Sequence, residues 1–393
     1  MEETIVIEQF DEDGFTRAEL LKRAAVAGAG LSVLGAVGAD RAFGRAAVDT
    51  VRWVSPRGSL EVMDDYNLVV PIKMGYFKRL GLNVKLNGGP GANEMQLIAA
   101  NQMDVGFASP GVMTAAIDAD VPVISIWEQY PAQVFDFVLH EDSKITHPRQ
   151  LKGKRIAVFN IGWKNIVDPI LAEVGVNPKT VKYREFGPQW NQAVALKLAD
   201  AGLSWEGLRA QLLGMSGVFG TGFTFKFLVG SKWGSKGPSN SYQVRQSDME
   251  DAQKRDIYTR FLTGVVMGFE FARANPRAAA QITYEQYPGL QKLISPQVAL
   301  ESMLQLASGY GTSRRKAPHL YGWHYPAAWN AYLASIAKLD QTKQRLKLSQ
   351  VLTNELVRPA NAKADKARAR RDATRYQLNS AFRRTTVPKG YPL

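Results

Sequence analysis

The chain writes one phrase twice: MDVGFASPG at residues 103–111 and ADAGLSWEG at residues 199–207. Asp, Gly and Gly hold the same offsets in both, pairing Asp104 with Asp200, Gly106 with Gly202 and Gly111 with Gly207. The surroundings repeat as well. Upstream of the first copy, VRWVSP (51–56) and LNVKLN (82–87) are strands by their β-branched and aromatic residues. A helical stretch, YNLVVPIKMGYFKRLG, separates them despite Pro71, and a GGPG turn then opens the helix ANEMQLIAAN. Upstream of the second copy, KRIAVFN (154–160) and VKYREFG (181–187) flank a helix through VDPILAEVG, and the helix QWNQAVALKLA follows. Each phrase is then a third strand that Asp opens and Gly keeps slim. Alternating strands and helices predict parallel sheets with right-handed crossovers, and two such units predict two α/β lobes. Ligands in open α/β sheets bind beyond the carboxyl ends of strands. Ser109 and Trp205 therefore hold equivalent places at that edge.

Farther along, FKFLVG (225–230) and SNSYQVR (239–245) read as strands bracketing a Gly/Ser/Lys turn. From residue 248 the pattern is helical to about residue 358, with Gly264 and Gly268 suited to close helix packing. Crossings between the lobes are expected near Tyr130–Phe137 and Tyr242–Asp248. The organisation predicted is an export signal over 1–44, a first lobe over 45–133 plus 246–358 with its C-terminal helices, a second lobe over 134–245, and a basic tail over 359–393.

Bulk properties narrow the classes. With 393 residues, 45% hydrophobic and 22% charged, the chain is globular and has room for two or three domains. The net charge of +13 is concentrated at one end: residues 361–393 carry nine Lys/Arg against two Asp. With no basic-and-aromatic recognition motif in the body, that end reads as a solvated tail rather than a nucleic-acid arm. There is no cysteine, which excludes disulfides, thiolate metal sites and a cysteine nucleophile. The four histidines show no metal-binding spacing, so no metal and no cofactor are expected.

Near the N-terminus, residues 24–39 are sixteen uncharged, mostly small apolar residues behind Arg17, Lys22 and Arg23. That run is short of the ~20 residues that span a bilayer, and its order of basic, apolar and small residues is that of an export signal. TRAELLK (16–22) resembles the twin-arginine motif with Ala18 in place of the second arginine. The expected location is the periplasm or the outer face of the cytoplasmic membrane.

Five segments, in order, carry a resemblance: GYFKRLGLNVKL (75–86), AANQMDVGFAS (99–109), LKGKRIAVFN (151–160), GVNPKTVKY (175–183) and EFARANPRAAAQI (270–282). The region from about 50 to 290 resembles the NMT1/THI5-like and SsuA-like substrate-binding proteins of ABC importers, which take nitrate, sulfonates, taurine or thiamine-pyrimidine precursors. The resemblance implies a type II periplasmic-binding-protein-like α/β fold, with two lobes joined by a hinge and a helical C-terminal part. It also implies a non-enzymatic role: capture of a small polar molecule and delivery to a membrane permease with its ATPase. A monomer that binds no nucleic acid is expected.

Candidate ligand contacts come from the loops after strands. In the first lobe these are Arg57, Ser59 and Glu61, then Gly89, then Ser109, then Trp127 and Glu128. In the second they are Asn160 and Trp163, then Phe186, then Trp205 and Glu206. Arg57 offers a planar fork suited to an oxyanion, or else an ion pair with Glu61, Asp64 or Asp65. The two Trp–Glu pairs suit a flat ring with N–H donors, or else core packing. These chemistries point to opposite ligands, an anion or an aminopyrimidine. Two rivals stand beside transport. One is an enzyme resembling the pyrimidine-precursor synthases, whose cysteine-rich motif is missing here; the other is a ligand sensor acting through the tail.

Overall fold

The computed structural model describes residues 48–388 apart from 58, 90–92, 216–223, 231–232, 234–236 and 309–317. The export signal expected over 1–44 lies outside the described residues. Two sheets organise the rest. In the first, β1 (Asp49–Val54) pairs in parallel with β2 (Leu82–Asn87), and a parallel bridge between Trp53 and Val105 brings in β3 (Gly106–Ala108). β4 (Val123–Glu128) completes the chain's first pass through this sheet. The second sheet holds β5 (Phe135–His140), β6 (Arg155–Val158), β7 (Lys182–Glu185), β8 (Ala201–Trp205) and β9 (Phe225–Leu228) in the order β7-β6-β8-β5-β9. β10 (Ser241–Arg245) then returns to the first sheet and lies antiparallel between β3 and β4.

Both sheets thus share one plan: second strand, first strand, third strand, an antiparallel strand received from the other half, and a last strand. β5 is antiparallel to β8 and β9 just as β10 is to β3 and β4. The doubled phrase marks the third strand of each. In the first sheet the Arg52 backbone N–H and Nε both donate to Asp104 Oδ2 at 2.8 Å, and its terminal nitrogen donates to Oδ1 at 2.8 Å. In the second, Arg155 makes the same three bonds to Asp200 at 2.8, 3.2 and 2.9 Å. Each Asp therefore locks the third strand to the first through a bidentate, charge-assisted pair. The glycines serve helix–sheet contact. A Cβ on Gly106 would sit 2.4 Å from Ile98, and one on Gly202 would sit 2.9 Å from the Trp190 ring.

The expected second crossing is corrected. Residues 225–230 and 239–245 do not form a hairpin, because β9 and β10 belong to different sheets. The chain crosses between them, ahead of Tyr242 rather than after it. The first crossing, between β4 and β5, falls where the sequence places it.

Around the first sheet pack α1 (Tyr66–Lys73), α2 (Glu94–Ala99) and α3 (Pro110–Asp118); around the second pack α4 (Lys164–Glu173), α5 (Trp190–Ala195) and α6 (Arg209–Met215). The long α7 (Ala252–Ala274) runs through the first lobe's core with fifteen buried residues. Gly264 and Gly268 let it lie against Phe77 and the Asn67 carbonyl, where a Cβ would stand at 2.3 and 2.6 Å. α8 (Pro276–Gln286), α9 (Pro288–Leu293), α10 (Pro296–Ser308) and α11 (Pro326–Lys338) follow. The C-terminal segment is not a solvated tail. Over α12 (Lys366–Arg375), Ala369 and Ala373 are fully buried against α7, and Phe382 is buried behind it. Asn275 Nδ2 donates to the Ala373 carbonyl and Arg370 pairs with Glu270 at 2.7 Å.

Candidate functional site

The carboxyl ends of β1, β3, β6 and β8 converge on an inner cavity of about 70 Å³ between the sheets. A water needs roughly 10–15 Å³ by that measure, so the space holds a few waters or one small molecule. From the first lobe it is lined by Arg57, Asp64, Glu94, Phe107, Ser109, Gln129 and Tyr130; from the second by Phe135, Trp163, Ile166, Leu203 and Trp205, with Asn240 on the returning crossing. A wider space of about 420 Å³ adjoins it, sharing Arg57, Trp163 and Trp205 and adding Ser59, Glu61, Trp190 and α9 residues.

Each polar side chain has a traceable position. Ser109 ends β3 in extended conformation and caps α3, its hydroxyl accepting from the Val112 N–H at 3.3 Å. Trp205 ends β8 and donates its indole N–H to Asp64 Oδ1 at 2.8 Å, a bond from one lobe to the other. Its ring meets Trp163 edge-to-face at 6.2 Å and tilts on Trp190 at 6.4 Å. Arg57 donates to both oxygens of Asp65 at 2.7 and 2.6 Å and lies 5.9 Å from the Phe107 ring centroid. Burial weakens the Arg57 guanidinium, but Asp65 and Asp64 outweigh it and raise its pKa.

The carboxyls behave oppositely. Burial pushes Asp64 up to about 6 against the pull of Arg57, with Asp65 pushing it further up and the Trp205 bond holding it down. Burial pushes Glu94 up to about 8. Asp64 Oδ2 and both Glu94 oxygens have no partner from any other residue.

Of the residues expected from the sequence, Arg57, Ser109, Trp163 and Trp205 line the inner cavity, while Ser59 and Glu61 line only the adjoining space. The other six line neither space. Trp127 and Glu128 are corrected outright: they are the end of β4 itself, a strand buried along its whole length, not a loop after it. Trp127 is fully buried and stacks on Phe269, and Gly322 leaves its ring room, since a Cβ there would fall 2.0 Å from it. Glu128 accepts from the Ser239 N–H and the Trp329 indole, and burial holds its pKa up at about 8. Gly89 is a packing glycine against the Ser55 carbonyl, where a Cβ would stand at 2.0 Å. Asn160 precedes a 3-10 turn, and Phe186 packs on the second lobe's Trp190 cluster. Glu206 pairs with Arg209 at 3.2 Å and borders a smaller space behind Trp205.

Asp64, Glu94, Phe107, Gln129, Tyr130 and Asn240 join the lining without a strand-end position in the sequence that singles them out. Glu94 carried a signal, since it opens the helix that follows the GGPG turn. Among the described residues no group of three or more His, Asp or Glu is placed to hold a metal ion, and no helix is long and apolar enough to cross a membrane. His324, fully buried between Ser125 and Asn354, has its pKa lowered to about 4 by burial and is a neutral packing group.

No curated protein matches the chain significantly. Solved structures do. The alkanesulfonate-binding protein SsuA from Xanthomonas axonopodis pv. citri, bound to MOPS, superposes with a TM-score of 0.56 at 13% identity, covering 79% of this chain and 97% of that one. The ligand-binding component of an ABC-type import system from Staphylococcus aureus gives 0.58 at 10% identity, covering 79% and 99%. The periplasmic aliphatic sulphonate-binding protein SsuA from Escherichia coli gives 0.53 at 12%, covering 77% and 91%. At such identities the likeness establishes the periplasmic-binding-protein fold. The family model described as NMT1/THI5 like matches residues 64–279, more than half of the chain and every strand of the two sheets except β1. With that match laid over two sheets of one plan and a cavity between them, the chain belongs to the NMT1/THI5-like family.

Proposed function

We propose that the protein is an extracytoplasmic solute-binding protein that holds one small polar molecule between its lobes and delivers it to an ABC permease and its ATPase. The carrying observation is the inner cavity, walled from both lobes at the strand ends and bridged by the Trp205–Asp64 hydrogen bond. Two lobes joined by crossing strands close on a ligand by hinge rotation, and closure excludes water so that polar contacts inside strengthen. The fold shared with SsuA and with an import component supports the same reading. Export to the periplasm belongs to this proposal, motivated by residues 24–39.

The test uses the molecule that co-purifies with the full chain. Stripped protein should have a larger radius of gyration by solution scattering, and adding the molecule back should shrink it and raise Tm by mass action. The molecule should be recovered chemically unchanged. An unaltered radius at saturation would defeat closure, and a transformed molecule would favour an enzyme.

A further inference from the structure

The polar groups facing the inner cavity are lopsided. Four acceptor side chains in its lining carry a buried oxygen that no other residue satisfies: Asp64, Glu94, Gln129 and Asn240. Asp64 is 8% exposed and Glu94 is 0% exposed, so water does not solvate them freely. Among the described residues the one cationic side chain in the lining is Arg57, which holds both oxygens of Asp65 through a single terminal nitrogen, while its buried Nε–H has no partner. That single guanidinium faces three carboxyls, Asp64, Asp65 and Glu94, and Glu94 accepts from no other residue. A buried carboxylate without a donor is costly, and a cation placed beside it removes that cost. An oxyanion in the same place would have to meet these carboxyls in their protonated form. The remaining walls are aromatic faces from Phe107, Trp163 and Trp205, which attract cations through their quadrupoles.

We infer that the molecule held between the lobes is a small organic cation carrying N–H donors on a compact body, through an ammonium, amidinium or guanidinium group, and is not a sulfonate or other oxyanion. This rests on the solute-capture reading above and narrows it. Glu94 and Asp64 share the positive group. Gln129 and Asn240 accept its further N–H bonds, and the tryptophans flank its body.

The test takes the full chain with matched probes: benzylammonium against benzenesulfonate, and methylguanidinium against methanesulfonate, by calorimetry and thermal shift. The cations should bind and raise Tm while the sulfonates do neither. Cation affinity should rise at least tenfold from pH 5.5 to pH 8.5 as the two carboxyls ionise. Glu94→Gln should lower cation affinity at least tenfold and flatten that rise above pH 7, with a ligand-free Tm equal to or above that of the native chain. Asp64→Asn is the parallel variant should the first misfold. Sulfonate binding as tight as cation binding, or cation binding independent of pH, overturns the inference and leaves solute capture standing. If none of the four probes binds, the cation assignment falls, and scattering with the co-purified molecule decides solute capture separately.

Discussion

Trp205 reaches across to Asp64, so its role divides between binding and folding in a measurable way. It is half-buried, at the end of β8, and its core neighbours Trp163 and Trp190 remain when it is removed. Trp205→Ala should cost about 2 kcal/mol or more of ligand binding, roughly thirtyfold in affinity, with a melt near native. A core tryptophan would instead lose ~3–5 kcal/mol of stability, and calorimetry beside thermal melting tells the two apart. The raised carboxyls give a second residue-level expectation. Glu94 and Glu128, both lifted to about 8, bind more protons in the native than in the unfolded chain between the usual carboxylate range and pH 8. Native stability therefore falls as pH rises through that window. His324 acts in the opposite sense, but only between about 4 and 6.5. The ligand-free Tm should accordingly drop between pH 6.5 and 8, and Glu94→Gln should shrink the drop; a Tm that climbs over this range would contradict the assignment. At this scale Ser109, Arg57 and Trp205 were legible because strand-end position alone puts them at the edge. Trp127 was not, since an aromatic at the end of a strand looks the same whether the strand stops at the cleft or is buried on both faces. Glu94 hid because a helix-opening Glu ordinarily sits in water.

The repeated Asp–Arg clamp is an element-scale device, and its two copies differ in depth. Asp104 is largely buried, with 8% side-chain exposure, and takes Arg245 as a second partner at 3.5 Å; Asp200 keeps 31%. Asp104→Ala should therefore destabilise more than Asp200→Ala, by about 2 kcal/mol against about 1 kcal/mol, because it removes a more buried carboxylate that serves both Arg52 and Arg245, while Arg245 keeps Asp248 at 2.7 Å. Urea melts of the two variants check the ranking. The plan of strands was readable from the doubled phrase because its Asp and its first Gly answer local needs, an anchor to the first strand and a flat place for a helix. The second crossing was not readable: β9 and β10 are strands of ordinary composition, and only pairing partners distant in sequence reveal that they lie in different sheets. The C-terminal helices were hidden by their charge. Ala369 and Ala373, one helical turn apart, suffice to seat α12 on α7 while every arginine around them faces out or pairs. Ending the chain at residue 364 should expose Phe271 and Tyr76 and lower Tm by several degrees or abolish soluble expression. A full-strength melt without this segment would restore the solvated tail.

Across the whole molecule the lobes meet at places where the last glycine of each phrase is required. A Cβ on Gly111 would fall 2.2 Å from the Asn165 carbonyl in α4, and one on Gly207 would fall 2.4 Å from Leu306 in α10. Ser302 donates to the Gly207 carbonyl at 2.6 Å, and Gln341 donates to Asp168 at 3.1 Å on the α4 side. The phrase thus closes on the contact between lobes in both copies, which is why it recurs. Gly111→Val should leave each lobe folded, hold the pair apart and weaken ligand binding by a hundredfold or more, with a radius of gyration that no longer shrinks on adding ligand. The central claim, one small molecule held between the lobes, is tested most directly by native mass spectrometry of the full chain purified without refolding. The account predicts one non-covalent small molecule per chain in the native protein and a clearly lower occupancy in Trp205→Ala and Gly111→Val. A bare native chain, or an adduct kept equally by both variants, would place binding elsewhere and contradict it.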